Sequence, residues 1–221
     1  MLGRSSEKRL MNFMRHHWFD VGLVLALGVS IFLLFTMLSP VSLLLWISLI
    51  ALFIHQFEEY RFPGYFPGMI NLTLFASKQP DRYPLNTNTA LIVNVIVGWF
   101  FYFLAAVLSE RGIWLGIATM LVSIGNIVAH TFLFNLKGKT IYNPGMVTAD
   151  ILFLPLAVSF FQRIVQANSV TSLDWIVGIG LGLALNYIGI LKLIDWLKDE
   201  QTTYIFPKRC LPPAIREARN P

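Results

Sequence analysis

The chain has 221 residues, of which 56% are hydrophobic and 13% charged, with mean hydropathy +0.63. Soluble domains carry about a quarter charged residues, so this composition excludes that class and defines an integral membrane protein. The net charge of +5 is not a nucleic-acid signal, because no basic stretch is interleaved with aromatics and membrane chains collect Lys and Arg at their cytoplasmic ends.

In chain order, six apolar segments approach the roughly 20 residues needed to span about 30 Å of hydrocarbon: 21–38, 41–59, 89–108, 113–134, 145–164 and 173–196. The first is too long for the apolar part of a signal peptide and is followed by Met37-Leu38-Ser39-Pro40 rather than a small-residue cleavage site, so it is expected to remain as a helix. The expected fold class is therefore all-α, a polytopic bundle of six transmembrane helices over 21–197, flanked by tails over 1–20 and 198–221. If both ends lie on one side, that side holds fourteen Lys and Arg residues (Arg4, Lys8, Arg9, Arg15, Arg61, Lys78, Arg82, Lys137, Lys139, Lys198, Lys208, Arg209, Arg216 and Arg219). The opposite side holds Arg111 and Arg163, and the bias predicts that both termini are cytoplasmic. Short connections after the first, third and fifth segments imply antiparallel hairpins.

The long connection 61–86 repeats Phe-Pro-Gly at 62–64 and 66–68 and is read either as an interfacial lid over the helix ends or as an ordinary surface loop. Asn71-Leu72-Thr73 matches a glycosylation sequon on the cytoplasmic side and is discounted. Gly178-Ile179-Gly180-Leu181-Gly182 lies inside the sixth segment with no strand before it, so close helix packing explains it better than a nucleotide loop. Cys210, the single cysteine, excludes a disulfide framework or a multi-cysteine metal site, and its place in the polar C-terminal stretch predicts a free thiol.

The polar residues of the membrane segments gather toward one leaflet. The second segment ends in His55-Gln56-Phe57-Glu58-Glu59, and spacings of three and four put His55, Glu58 and Glu59 on one helix face. The third segment carries Asn94, the fourth Asn126 and His130, the fifth opens with Tyr142-Asn143-Pro144-Gly145 before Thr148 and Asp150, and the sixth ends with Asn186, Tyr187, Lys192 and Asp195. Asn94, Asn126 and Asn186 are also suited to cross-bonding helices, and Lys192 with Asp195 to an ion pair at the interface. Asp150 is placed to stabilise the start of the fifth helix through its dipole. Two imidazoles beside two adjacent carboxylates exceed what packing requires, because ionisable groups are expensive in hydrocarbon.

The H-x-x-E-E run at 55–59, His130, and Tyr142-Asn143-Pro144-Gly145-Met146-Val147-Thr148-Ala149 together resemble the HXXEE-domain family of small bacterial and archaeal membrane proteins, over about residues 45–165. The resemblance implies a multi-pass protein of a bacterial or archaeal inner membrane and marks residues to watch, without implying a mechanism.

Imidazole and carboxylate ligands without thiolates suit Zn, Fe or Mn, and helix bundles hold metals on inward His and Glu three apart. The expected ligand set is His55, Glu58, Glu59, His130 and Asp150, supported by Asn94, Asn126, Tyr142, Asn143 and Asn186. The first reading is a metal-dependent, hydrolase-like enzyme acting on a lipid or other apolar small molecule. A second is metal-free isomerisation or cyclisation, with Glu58 and Glu59 as acid and base. A third is a proton-coupled carrier, opposed by polar residues confined to one leaflet and by the lack of an inverted repeat or broken midplane helix.

Overall fold

A computed structural model describes residues 2–168 and 170–218; all its regular elements are helical, and no strand occurs among the described residues. Arg219, counted above among the C-terminal cations, lies outside them. Five helical stretches are long and apolar enough to cross a membrane: Ser6–Leu34, Pro40–Tyr60, Thr87–Gly138, Met146–Gln166 and Ser172–Trp196.

Helix α1 (Leu2–Leu34) begins well inside the stretch predicted as a tail, since nothing before Val21 breaks the helix. Trp18 and Phe19 are buried, and Asp20 accepts an ion pair from Arg61 Nε at 3.1 Å, tying α1 to the end of the next helix. Helix α2 (Pro40–Tyr60) starts where the sequence dictates: Ser39 caps it by accepting from the Ser42 amide, and Pro40 occupies the first turn, where its missing N–H costs nothing. Half of the apolar window of α2 is buried, against 17–28% for the other four stretches, so the helix carrying the H-x-x-E-E run is the central one.

The 52-residue stretch Thr87–Gly138 would be about 78 Å long if straight, more than twice the hydrocarbon thickness. It is not straight. A four-residue turn, Ser109–Gly112, begins at Ser109 with φ 49° and ψ −126°, and the chain reverses there. Tyr102 on the arm before the turn donates to the Thr119 carbonyl at 3.0 Å and lies 2.8 Å from Ser123 Oγ on the arm after it. These arms, 87–108 and 113–138, are α4 and α5; the short helix Phe66–Thr73 is α3, Met146–Gln166 is α6 and Ser172–Trp196 is α7. Gly178 and Gly182 let α7 press against α5: a Cβ at either would come within 2.7–2.8 Å of Ile117 or Leu121 side-chain atoms, as close packing requires.

The connection 61–86 packs against the helix ends rather than projecting from them. Phe66, Met69, Ile70 and Leu85 join Tyr60 and Trp18 in one core cluster. Asn71, the sequon residue, is fully buried and organises this segment by donating to the Pro80 and Leu85 carbonyls and accepting from the Leu85 amide. The C-terminal stretch also folds back. Phe206 N donates to the Asp81 carbonyl at 2.8 Å, and Arg209 Nη1 donates to the Tyr60 carbonyl at 2.6 Å, which closes the end of α2. Cys210 is accordingly buried against this cluster and not in a polar tail, because the residues around it cover the loop 61–86.

Burial pushes the Cys210 thiol up to about 11. Since the thiolate is the nucleophile, alkylation of the folded protein at neutral pH is expected to be roughly 100-fold slower than that of the denatured chain. Timed iodoacetamide labelling followed by intact-mass measurement checks this, and equal rates would show that the C-terminal stretch does not stay docked.

Candidate metal centre

The bundle end at which α2 terminates gathers the polar side chains. His55 and Glu59 are one turn apart on α2, so both reach the same point. His130 comes from a π-helical stretch of α5, Ala129–Leu133, and the widened turn belongs to a class common at functional sites. One ligand atom each from His55, Glu59 and His130 lies within 4.8 Å of the others, and all three residues are buried. Glu59 Oε1 is 3.3 Å from His130 Nε2 and 3.7 Å from His55 Nε2. The two rings meet edge to face with centroids 5.0 Å apart.

Neighbouring groups fix the tautomer of each imidazole. Asn143 donates through Nδ2 to the His130 backbone carbonyl at 2.7 Å, a group that can only accept, so its Oδ1 is the atom 2.7 Å from His130 Nδ1. His130 therefore donates Nδ1–H to Asn143, and in the neutral imidazole its Nε2 carries no hydrogen. Thr148 spends its only hydroxyl hydrogen on Glu58 Oε2 at 2.6 Å, so it accepts from His55 Nδ1 at 2.9 Å, and His55 too keeps a bare Nε2. That nitrogen is buried without a hydrogen-bond partner. With neutral imidazoles and an ionised carboxylate, the state in which such groups ligate a metal, three lone pairs face one another here.

Glu58 and Asp150, expected in the same ligand set, point elsewhere. Glu58 caps the start of α6, accepting from Tyr142 Oη, Val147 N, Thr148 N and Thr148 Oγ1 at 3.1, 3.4, 2.9 and 2.6 Å. The positive end of a helix draws a carboxylate in this way, and the one that arrives comes from α2. Burial and the adjacent Glu58 charge push the Tyr142 phenol up, so it remains a donor. Asp150 Oδ1 accepts from Thr131 Oγ1 at 2.7 Å.

The supporting asparagines divide as well. Asn143 positions His130, whereas Asn94 bonds Gln56, Tyr60 and the Ala90 carbonyl. Asn126 donates to the Val122 carbonyl and stands in the wall of a cavity. Asn186 donates to the Leu121 and Gly182 carbonyls and joins α7 to α5.

Thr148 and Gly145, which the sequence places at the start of this helix without a role in the ligand set, also belong to the site: Thr148 holds His55, and Gly145 faces both imidazoles. At φ 101°, a Cβ on Gly145 would lie 2.4 Å from His130 Cε1 and 2.9 Å from His55 Cε1. The Asn-Pro-Gly turn before Thr148 is the only trace of this need in the sequence. Phe66 packs against His130 with ring centroids 5.3 Å apart and Phe153 against His55 at 4.7 Å, so both imidazoles are flanked by aromatic rings. On its remaining side the group opens onto a cavity of about 100 Å³, lined by His55, Gln56, Glu59 and Asn126 among apolar residues such as Leu52 and Phe101.

The long apolar helices, with apolar side chains such as Val24, Ile96, Ile151 and Ile176 facing outward, define a helical membrane protein with a buried His-Glu-His cluster. Residues 46–160, slightly more than half of the 221, match the family described as proteins of unknown function with an HXXEE motif, and the chain belongs to that family. A search of curated proteins and a search of solved structures each found no match.

Proposed function

We propose that His55, Glu59 and His130 hold a divalent transition metal, Zn, Fe or Mn, and that the protein is a metal-dependent membrane enzyme acting on an apolar substrate in the adjoining cavity. The observation that carries this reading is the outward donation of both Nδ1–H groups, to Thr148 and Asn143, which leaves three lone pairs converging. Metal-binding imidazoles are typically held this way, by a second hydrogen bond that sets tautomer and ring direction. Ligands at 2.0–2.1 Å in a tetrahedron stand about 3.4 Å apart; Glu59 Oε1 meets that spacing to each imidazole at 3.3 and 3.7 Å, and the three atoms together lie within 4.8 Å, so binding draws the two imidazoles toward the ion. Two imidazoles and one carboxylate leave coordination positions open for substrate or water.

A metal there supplies a Lewis acid, and hydrolysis of an ester, amide or phosphoester bond is the reaction class it suits. The chain's own residues do the rest: Thr148 and Asn143 orient the imidazoles, Glu58 holds Thr148, and Phe66 and Phe153 cover the imidazole faces, leaving the cavity side as the approach for substrate and water. For the topology we propose six crossings, with the reversal at Ser109 dividing the 52-residue stretch into two, and both termini on the cytoplasmic side. Support comes from the Tyr102 contacts across the reversal and from the distribution of Lys and Arg.

Metal analysis of the detergent-purified protein tests the centre. About one equivalent is expected for the wild type, with loss of most of it in His55→Ala and Glu59→Gln, since removing one of three ligands removes much of the linked binding energy. A wild-type protein without stoichiometric metal, unchanged in melting temperature by a chelator, would refute it. A metal-free isomerase or cyclase then takes its place, with Glu59 and His130, 3.3 Å apart, as the acid/base pair rather than the Glu58 and Glu59 expected from the sequence.

A further inference from the structure

The cavity wall holds a hydrogen-bond chain whose orientation is fixed from both ends. Trp99 Nε1–H, which can only donate, reaches Gln56 Oε1 at 2.7 Å, so Gln56 Nε2 is the atom that donates to Asn94 Oδ1 at 3.1 Å. Asn94 Nδ2 then donates to the Ala90 carbonyl at 2.9 Å, which can only accept, and to Tyr60 Oη at 3.1 Å. Every amide in the chain is assigned without freedom to flip. Donors are left over. The second N–H of Gln56 and the O–H of Tyr60 meet no acceptor among the described residues, although both side chains are buried.

Both residues line the same cavity of about 100 Å³ whose other walls include Leu52, Val97, Phe101 and Leu185. Gly98 keeps the Gln56 amide uncovered: a Cβ there would stand 3.5 Å from Gln56 Nε2. A dry apolar cavity of about 150 Å³ takes a benzene-sized guest, so this one suits a single ring or a few methylene groups. Two surplus donors in an apolar wall ask the occupant for an acceptor. We propose that the cavity binds an apolar molecule, or the apolar end of one, bearing an uncharged acceptor oxygen such as a ketone, ester or ether, which takes hydrogen bonds from Gln56 and Tyr60. This substrate class rests on the reading of the cavity as the substrate site, but the donor count stands whether or not a metal is bound.

Cyclohexanone and methylenecyclohexane have nearly the same shape and differ by oxygen in place of a methylene, so they isolate the acceptor. Their binding to the detergent-solubilised full chain is measured by the rise in melting temperature, compared at equal mole fraction in the micelle. The ketone is expected to bind up to about tenfold more tightly, the effect of one to two buried hydrogen bonds. Tyr60→Phe keeps the ring against Trp18 and should lose most of that preference; Gly98→Ala places a methyl before the amide at an ordinary contact distance and should weaken the ketone selectively. Chelator-treated wild type should retain the preference, so failure of the metal reading and failure of this one are separable. Equal affinity for the two probes, binding of neither, or a ketone preference that survives Gly98→Ala would overturn the proposal even if Tyr60→Phe does not fold.

Discussion

Gly145→Ala is expected to destabilise the protein by about 3–5 kcal/mol, combining a non-glycine residue at strongly positive φ with overpacking against two rings. The new methyl would sit 2.4 Å from His130 Cε1, 2.8 Å from His130 Nδ1 and 2.9 Å from His55 Cε1, and neither ring can retreat. His130 is held by Asn143 and packed by Phe66 and Phe134, while His55 is held by Thr148 and packed by Phe153. Moving either ring breaks its hydrogen bond and scatters the three acceptors, so metal content should fall together with stability. Thermal unfolding in detergent beside metal analysis checks both, and a loss below about 1 kcal/mol with full metal retention would show that the turn does not press on the rings.

The adjacent carboxylates of α2 are expected to respond in different ways to the same substitution. Glu58 accepts four hydrogen bonds at the start of α6, and Glu58→Gln turns an NH₂ toward at least one of those donors. A loss of about 2–4 kcal/mol follows from the broken charge-assisted bonds and the buried donor left facing another donor. In chelator-treated protein, Glu59→Gln instead sets an amide N–H against the bare Nε2 of His130 and removes a lone-pair repulsion, so stability should stay within about 1 kcal/mol of wild type or rise. Melting of the two variants with and without chelator separates their roles. Equal losses in the two would mean that Glu58 and Glu59 do the same work, contrary to the geometry.

Much of this protein was legible in its sequence because two regularities are local. Hydropathy marked the membrane helices to within a few residues at most ends, and helical spacing brought His55 and Glu59 to one face. The Ser39-Pro40 start of α2 and the Gly178 to Gly182 packing face were likewise readable, since capping and close approach depend on the residues themselves. Which of two neighbouring carboxylates joins the histidines was not local. Glu58 and Glu59 differ by 100° around the helix, and the choice falls to the docking of α6, whose unpaired amides take Glu58 and leave Glu59 to the imidazoles. The same docking sends Asp150 to Thr131, makes Thr148 the support of His55, and forces glycine at position 145. The C-terminal stretch folds over the loop 61–86 and buries Cys210, although its charged sequence reads as a tail, because the apolar surface that covers Phe206, Cys210 and Leu211 comes from residues distant in sequence. Sequence by itself determined where the helices lie and which side chains can reach a common end; the tertiary structure decided which of them meet, because lone pairs, helix termini and ring edges select partners by distances that no periodicity encodes.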